Sequence, residues 1–111
     1  MANENVLEFT DENWANEVAG SKLPVIVDFW APWCAPCRAL GPTIDKIATQ
    51  FAGKVKVGKI NIDEWQEMAS KYGISSIPRL LYFDGGDKPK TLDQRHEAEL
   101  AKSINGLLQK V

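Results

Sequence analysis

A chain of 111 residues is long enough for one hydrophobic core and too short for two. With 44% hydrophobic and 25% charged residues and a net charge of −2, it is an ordinary globular composition that argues against nucleic acid and anionic membranes as partners. No apolar stretch is long enough to cross a bilayer, and the polar start Met1-Ala2-Asn3-Glu4-Asn5 lacks the pattern of a secretion signal, so a cytoplasmic protein is expected.

In chain order, Val6-Leu7-Glu8-Phe9 reads as a short edge strand. Thr10 then stands at a helix N-cap, with Asp11 and Glu12 in a first turn that favours acidic residues. Phe9 and Trp14 have the spacing of a hydrophobic staple, and Gly20 ends this helix. Val25-Ile26-Val27-Asp28-Phe29-Trp30 is apolar on both faces, the mark of a strand covered on both sides. Leu40, Ile44, Ile47, Ala48 and Phe51 recur at helical spacing. Pro42 predicts a kink inside that helix and Gly53 its end.

Val55 to Ile62 is the next strand. Trp65 to Tyr72 is a short helix stopped by Gly73, and Arg79-Leu80-Leu81-Tyr82-Phe83 is a further strand. Asp84-Gly85-Gly86-Asp87 turns the chain into a last strand near Lys90 to Leu92. Ala98, Ala101, Ile104, Leu107 and Leu108 line one face of a C-terminal helix. The order β-α-β-α-β-α-β-β-α predicts an α/β fold: a mixed central sheet with helices on both faces, in one domain over residues 1–111.

Cys34 and Cys37 are the only cysteines, two residues apart, between the apolar strand and the helix that follows. In a reducing compartment such a pair is catalytic or metal-binding rather than structural. Zinc normally needs four Cys or His ligands, and His96 is the sole histidine, far along the chain; an iron–sulfur cluster would need ligands from a second chain. Reversible disulfide chemistry is therefore expected, with no bound metal or cofactor. Cys34 falls at a helix start, where unpaired N–H groups and the dipole favour a thiolate. It can attack a target disulfide, and Cys37, one turn on, can displace it. Pro36 suits an early helix position and limits motion between the sulfurs.

Asp28 is either a partly exposed strand-end residue or a buried carboxyl whose raised pKa lets it pass protons near neutrality. Lys59 shares a strand face with Val55 and Val57, so it either pairs with Asp28 or reaches out to solvent. Ile77-Pro78, just before a strand, is compatible with a cis or a trans bond. Trp33, next to Cys34, reads as part of a partner groove and Trp30 as core packing.

The segments Val27-Asp28-Phe29-Trp30-Ala31-Pro32-Trp33-Cys34-Ala35-Pro36-Cys37, Lys59-Ile60-Asn61-Ile62-Asp63 and Lys71-Tyr72-Gly73-Ile74-Ser75-Ser76-Ile77-Pro78 together resemble the thioredoxin family, over nearly the whole chain. The resemblance implies the thioredoxin fold, a mixed five-stranded sheet flanked by four helices. It implies that Cys34 attacks, that Cys37 resolves and is buried, and that Asp28 deprotonates Cys37 with Lys59 nearby. It further implies that Pro78 is cis and faces the disulfide, that Trp33, Ile77 and Pro78 form a groove for protein substrates, and that a separate NADPH-dependent flavoprotein, a thioredoxin reductase, recharges the pair. A monomer is the family's usual state.

Three positions depart from the family pattern. Ala35 replaces the usual glycine between the cysteines, where the intervening residues tune redox poise. Arg79 follows Pro78 where threonine is common, and Asp93 stands where a glycine usually lets partner backbone approach. Arg79 and Asp93 lie on the groove rim in this reading and could pair with each other. These departures keep alternatives open: a reductant dedicated to one pathway, or a redox-dependent binding module with a narrowed partner range. An oxidising or isomerising catalyst would be an exported chain, with a different residue pair between the sulfurs.

Overall fold

The computed structural model describes residues 3–86 and 88–109. Met1 and Ala2 of the polar start, Asp87 of the expected turn, and Lys110 and Val111 lie outside the described residues. Five strands, β1 (Val6–Phe9), β2 (Val25–Trp30), β3 (Lys56–Asn61), β4 (Arg79–Phe83) and β5 (Lys90–Leu92), form one sheet in the order β1-β3-β2-β4-β5. β3 runs parallel to β1 and β2, whereas β4 is antiparallel to both β2 and β5. The helices α1 (Ala35–Gln50), α2 (Glu67–Lys71) and α3 (Glu97–Leu108) and a π-helical turn, Ala15–Ala19, complete the four flanking helical elements.

β2 sits at the centre, and its alternation divides the core. Val25, Val27 and Phe29 point to one side with Phe9, Trp14, Val18, Ile60, Leu81 and Phe83. Ile26 points to the other, against Leu40, Ile44 and Ile47 of α1 and Leu100 and Ile104 of α3. Asp28 is in register with Ile26 by strand alternation and so lies on the face that α1 covers.

The first helical segment differs from expectation in its width. Thr10 and Asn13 cap each other: the Asn13 amide donates to Thr10 Oγ1 (2.9 Å) and the Thr10 amide to Asn13 Oδ1 (2.8 Å). The chain then winds wide, with the Gly20 amide reaching back five residues to the Ala15 carbonyl (2.8 Å). The staple forms as expected, Phe9 and Trp14 meeting edge to face at 6.2 Å between centroids.

α2 starts at Glu67, two residues later than Trp65, because its cap comes from elsewhere in the chain. The Asp11 carboxylate accepts the Glu67 and Met68 amides, both at 3.2 Å, across more than fifty residues of sequence. β3 is one residue shorter at each end than the apolar run suggests. Pro42 lies inside α1, which continues through it to Gln50.

Gly58 in β3 is required by close packing rather than by its backbone. A β-carbon there would stand 2.5 Å from the Phe9 ring and 2.7 Å from the Leu7 carbonyl oxygen. Gly58→Ala must therefore push β1 away, and should lower stability by about 2 kcal/mol in denaturant titration. An unchanged midpoint would show that β1 is not held against β3 as described.

Candidate functional site

The C-terminal end of β2 delivers the chain to a turn and then to the first turn of α1, the place where open α/β sheets gather their chemistry. The Cys34 amide donates to the Ala31 carbonyl (3.1 Å), and Arg38 Nη1 donates to the Pro32 carbonyl (2.7 Å), closing that turn. Cys34 is the N-cap of α1, with extended backbone angles, and the helix begins at Ala35 with Pro36 early in it.

Cys34 and Cys37 are joined as a disulfide, their Cα atoms 5.2 Å apart. The Cys37 amide donates to Cys34 Sγ (3.2 Å), an otherwise orphaned first-turn N–H aimed at that sulfur. Any negative charge on Cys34 after reduction therefore faces a hydrogen-bond donor and the positive end of a sixteen-residue helix. Burial does not separate the two cysteines: Cys34 is 4% exposed and Cys37 3%. What differs is their electrostatic position in the helix.

Ile77-Pro78 is a cis peptide, and the Ile77 carbonyl oxygen lies 3.9 Å from Cys34 Sγ. This brings the loop before β4 against the disulfide. Trp33 stands outside, 66% exposed, its indole N–H held by both oxygens of the Asp63 carboxylate at 2.9 and 3.2 Å. Ile77, Pro78 and Arg79 are half-buried, and Asp93 is exposed on the loop after β5.

Asp28 is 1% exposed, and its Oδ1 has no hydrogen-bond partner among the described residues. Burial pushes its carboxyl up to about 7, against the opposing pull of the Lys59 and Arg95 charges. The strand-end alternative for Asp28 is thereby excluded.

Two expected pairings take another form. Asp28 and Lys59 are directly opposite across β2 and β3, but among the described residues they make no ion pair. Lys59 Nζ instead sits 5.2 Å above the Trp30 ring, where the ring face attracts the cation, so Lys59 acts on Asp28 only through its field. Arg79 and Asp93 do not meet: Arg79 Nη2 donates to Ser76 Oγ (3.3 Å), within its own loop.

Sequence reasoning missed Arg95. Its Nη2 donates to the Pro78 carbonyl (3.1 Å), and its charge acts on Asp28. The one available signal was an anomaly: Arg95 and His96 place basic residues at the start of α3, where the dipole disfavours them, so a role beyond the helix could have been suspected. No cluster of three or more His, Cys, Asp or Glu residues suited to a metal ion occurs among the described residues.

The family model described as Thioredoxin matches residues 5–106. Thioredoxin 1 of Nostoc sp. is 54% identical over 81 residues, covering 73% of this chain and 76% of that protein. Thioredoxin of Pyropia yezoensis is 46% identical over 102 residues, covering 91% and 95%. A chloroplastic M-type thioredoxin of Pisum sativum is 53% identical over 78 residues, 70% of this chain and 45% of that protein.

Proposed function

The chain belongs to the thioredoxin family and acts by dithiol–disulfide exchange at Cys34 and Cys37, and on that premise we propose how the two sulfurs divide the work. Cys34 attacks and Cys37 resolves. The observation that carries this division is the Cys37 amide aimed at Cys34 Sγ from the first turn of α1. No comparable donor faces Cys37 Sγ among the described residues.

The Cys34 thiolate attacks one sulfur of a protein disulfide. A Cys34–substrate bond forms, the substrate S–S bond breaks, and the departing thiolate takes a proton. Cys37 then gives its proton to Asp28 and attacks Cys34, closing the Cys34–Cys37 disulfide and releasing the second substrate thiolate. That second thiolate takes up a proton as Asp28 gives its own back to water, and the first thiolate's proton balances the one Cys34 lost on ionising, so two electrons and two protons in all pass to the substrate. Asp28 suits the proton step because its raised pKa lies near neutrality, and Lys59 supports it by keeping the ionised form within reach.

Trp33, Ile77 and Pro78 form the groove in which protein substrates lie, with Arg79 and Asp93 on its rim; Ala35 and Pro36 set the redox poise. The supporting geometry is the approach of the cis-Pro78 loop to Cys34 and the outward stance of Trp33. The oxidised pair is recharged with electrons from NADPH through a separate flavoprotein, a thioredoxin reductase. The chain works as a monomer and a single domain over residues 1–111, in the cytoplasm; no helix among the described residues is long and apolar enough to cross a membrane.

A trap tests the division of roles. Cys37→Ser protein, reduced and mixed with a protein disulfide, should accumulate a stable mixed disulfide through Cys34, resolved by non-reducing gel and peptide mapping. Cys34→Ser should accumulate none. Equal capture by the two variants would reverse or erase the assignment.

A further inference from the structure

Arg95 is half-buried beside the disulfide and is held by main-chain oxygens alone. Nη1 donates to the carbonyls of Leu92 (3.2 Å) and Gln94 (3.1 Å), and Nη2 to that of Pro78 (3.1 Å). A guanidinium carries five N–H donors, so two stay without an acceptor among the described residues. Nor does Arg95 make an ion pair there; the ion pairs found join Lys46 to Glu97 and Lys56 to Glu17.

This fixed cation, with no carboxylate partner among the described residues, lines a cleft of about 300 Å³ whose other walls are Pro36, Ala39, Leu40 and Pro78. Pro36 lies between the two cysteines, and Pro78 follows the carbonyl that approaches Cys34 Sγ. Neither cysteine lines the cleft, but Pro36 and Pro78 place it beside the turn that carries Cys34, and its apolar walls lower the local dielectric around the charge. Asp93, two residues before Arg95, is not among its walls. The one carboxyl nearby on which Arg95 acts, Asp28, is joined to it by no hydrogen bond among the described residues, and its charge falls away as pH drops below about 7. An arginine pre-positioned in this way is suited to a carboxylate, which its planar fork binds more strongly than it binds a neutral amide.

We propose that Arg95 is a specificity residue that selects protein substrates bearing an Asp or Glu side chain next to the disulfide cysteine, taking that carboxylate into the cleft between Pro36 and Pro78. The proposal rests on exchange at Cys34 and Cys37 and adds a substrate class to it. The carboxylate is supplied by the substrate, and no atom of Arg95 enters the redox step.

The test uses three synthetic peptides, each with one intrachain disulfide, differing only in Glu, Gln or Lys beside the attacked cysteine. Hydroxyethyl disulfide, which carries no charge, serves as a fourth substrate. Reduced wild-type protein should reduce the Glu peptide about tenfold faster than the Gln peptide and faster still than the Lys peptide, a gap that narrows with added salt. Arg95→Met should bring the Glu-to-Gln ratio close to one, and Arg95→Lys should keep part of it. An arginine that merely ties Pro78 to the β5–α3 loop would slow all substrates together and leave the ratio unchanged. A wild-type ratio near one, or a ratio untouched by Arg95→Met, overturns the proposal while turnover of hydroxyethyl disulfide leaves the exchange reading standing. Failure on hydroxyethyl disulfide as well would remove both.

Discussion

Replacing Asp28 with asparagine should stabilise the oxidised protein by about 4 kcal/mol at pH 8 and by almost nothing near pH 4. The carboxyl titrates at 3.8 in the unfolded chain and at about 7 in the folded one. Between those values the folded state holds a proton that the unfolded state has lost. Stability from this group is thus fully present below pH 3.8, declines as pH rises, and is lost once pH passes about 7. The group is fully enclosed and its Oδ1 is unpaired, so solvent does not screen the effect away. A separation of about three pH units corresponds to about 4 kcal/mol. Asparagine matches the protonated acid in shape and never ionises, which is why the two proteins converge in acid. Denaturant midpoints measured from pH 4 to pH 8 check this. Parallel curves across the range would mean that Asp28 is not desolvated when folded.

The same Asp28→Asn substitution should weaken function while it strengthens the fold. A carboxamide cannot accept the Cys37 proton, so release of the mixed disulfide should slow by on the order of a hundredfold near neutral pH, the usual scale for losing a positioned base. A buried acid that lowers stability at working pH is thus understandable as a feature kept for proton transfer.

The parts of the structure that were legible in the sequence are those governed by local chemistry. The run Val25–Trp30 could only be a strand covered on both faces, and Arg79–Phe83 follows from its leucines and aromatics before the turn residues that lead to Lys90–Leu92. The helix start at the cysteines follows from an N-cap position with proline just inside it. The cis bond at Pro78 was implied by family resemblance alone; local physics left both isomers open.

What was not legible depends on partners distant in sequence. The start of α2 is set by Asp11, which no local pattern connects to Glu67. Lys59 was expected either beside Asp28 or in solvent, and it is drawn to the face of Trp30, a choice decided by where a ring happens to lie. Arg95 had no motif to announce it, because its three acceptors are backbone carbonyls brought together by the β4–β5 hairpin and the cis-proline loop. Cys37 is buried as the resemblance implied, but Cys34 is buried equally in the oxidised state; the two differ in which sulfur receives a helix amide.

That electrostatic asymmetry is the centre of the account, and alkylation of the fully reduced protein measures it most directly. With iodoacetamide applied across pH 5 to 9 and the two positions separated by peptide mapping, Cys34 should react first. Its rate should rise through a midpoint below the ordinary thiol value of about 8.5. Cys37 should be slower by on the order of tenfold or more near pH 7. Indistinguishable rates, or two positions equally inert at neutral pH, would contradict it.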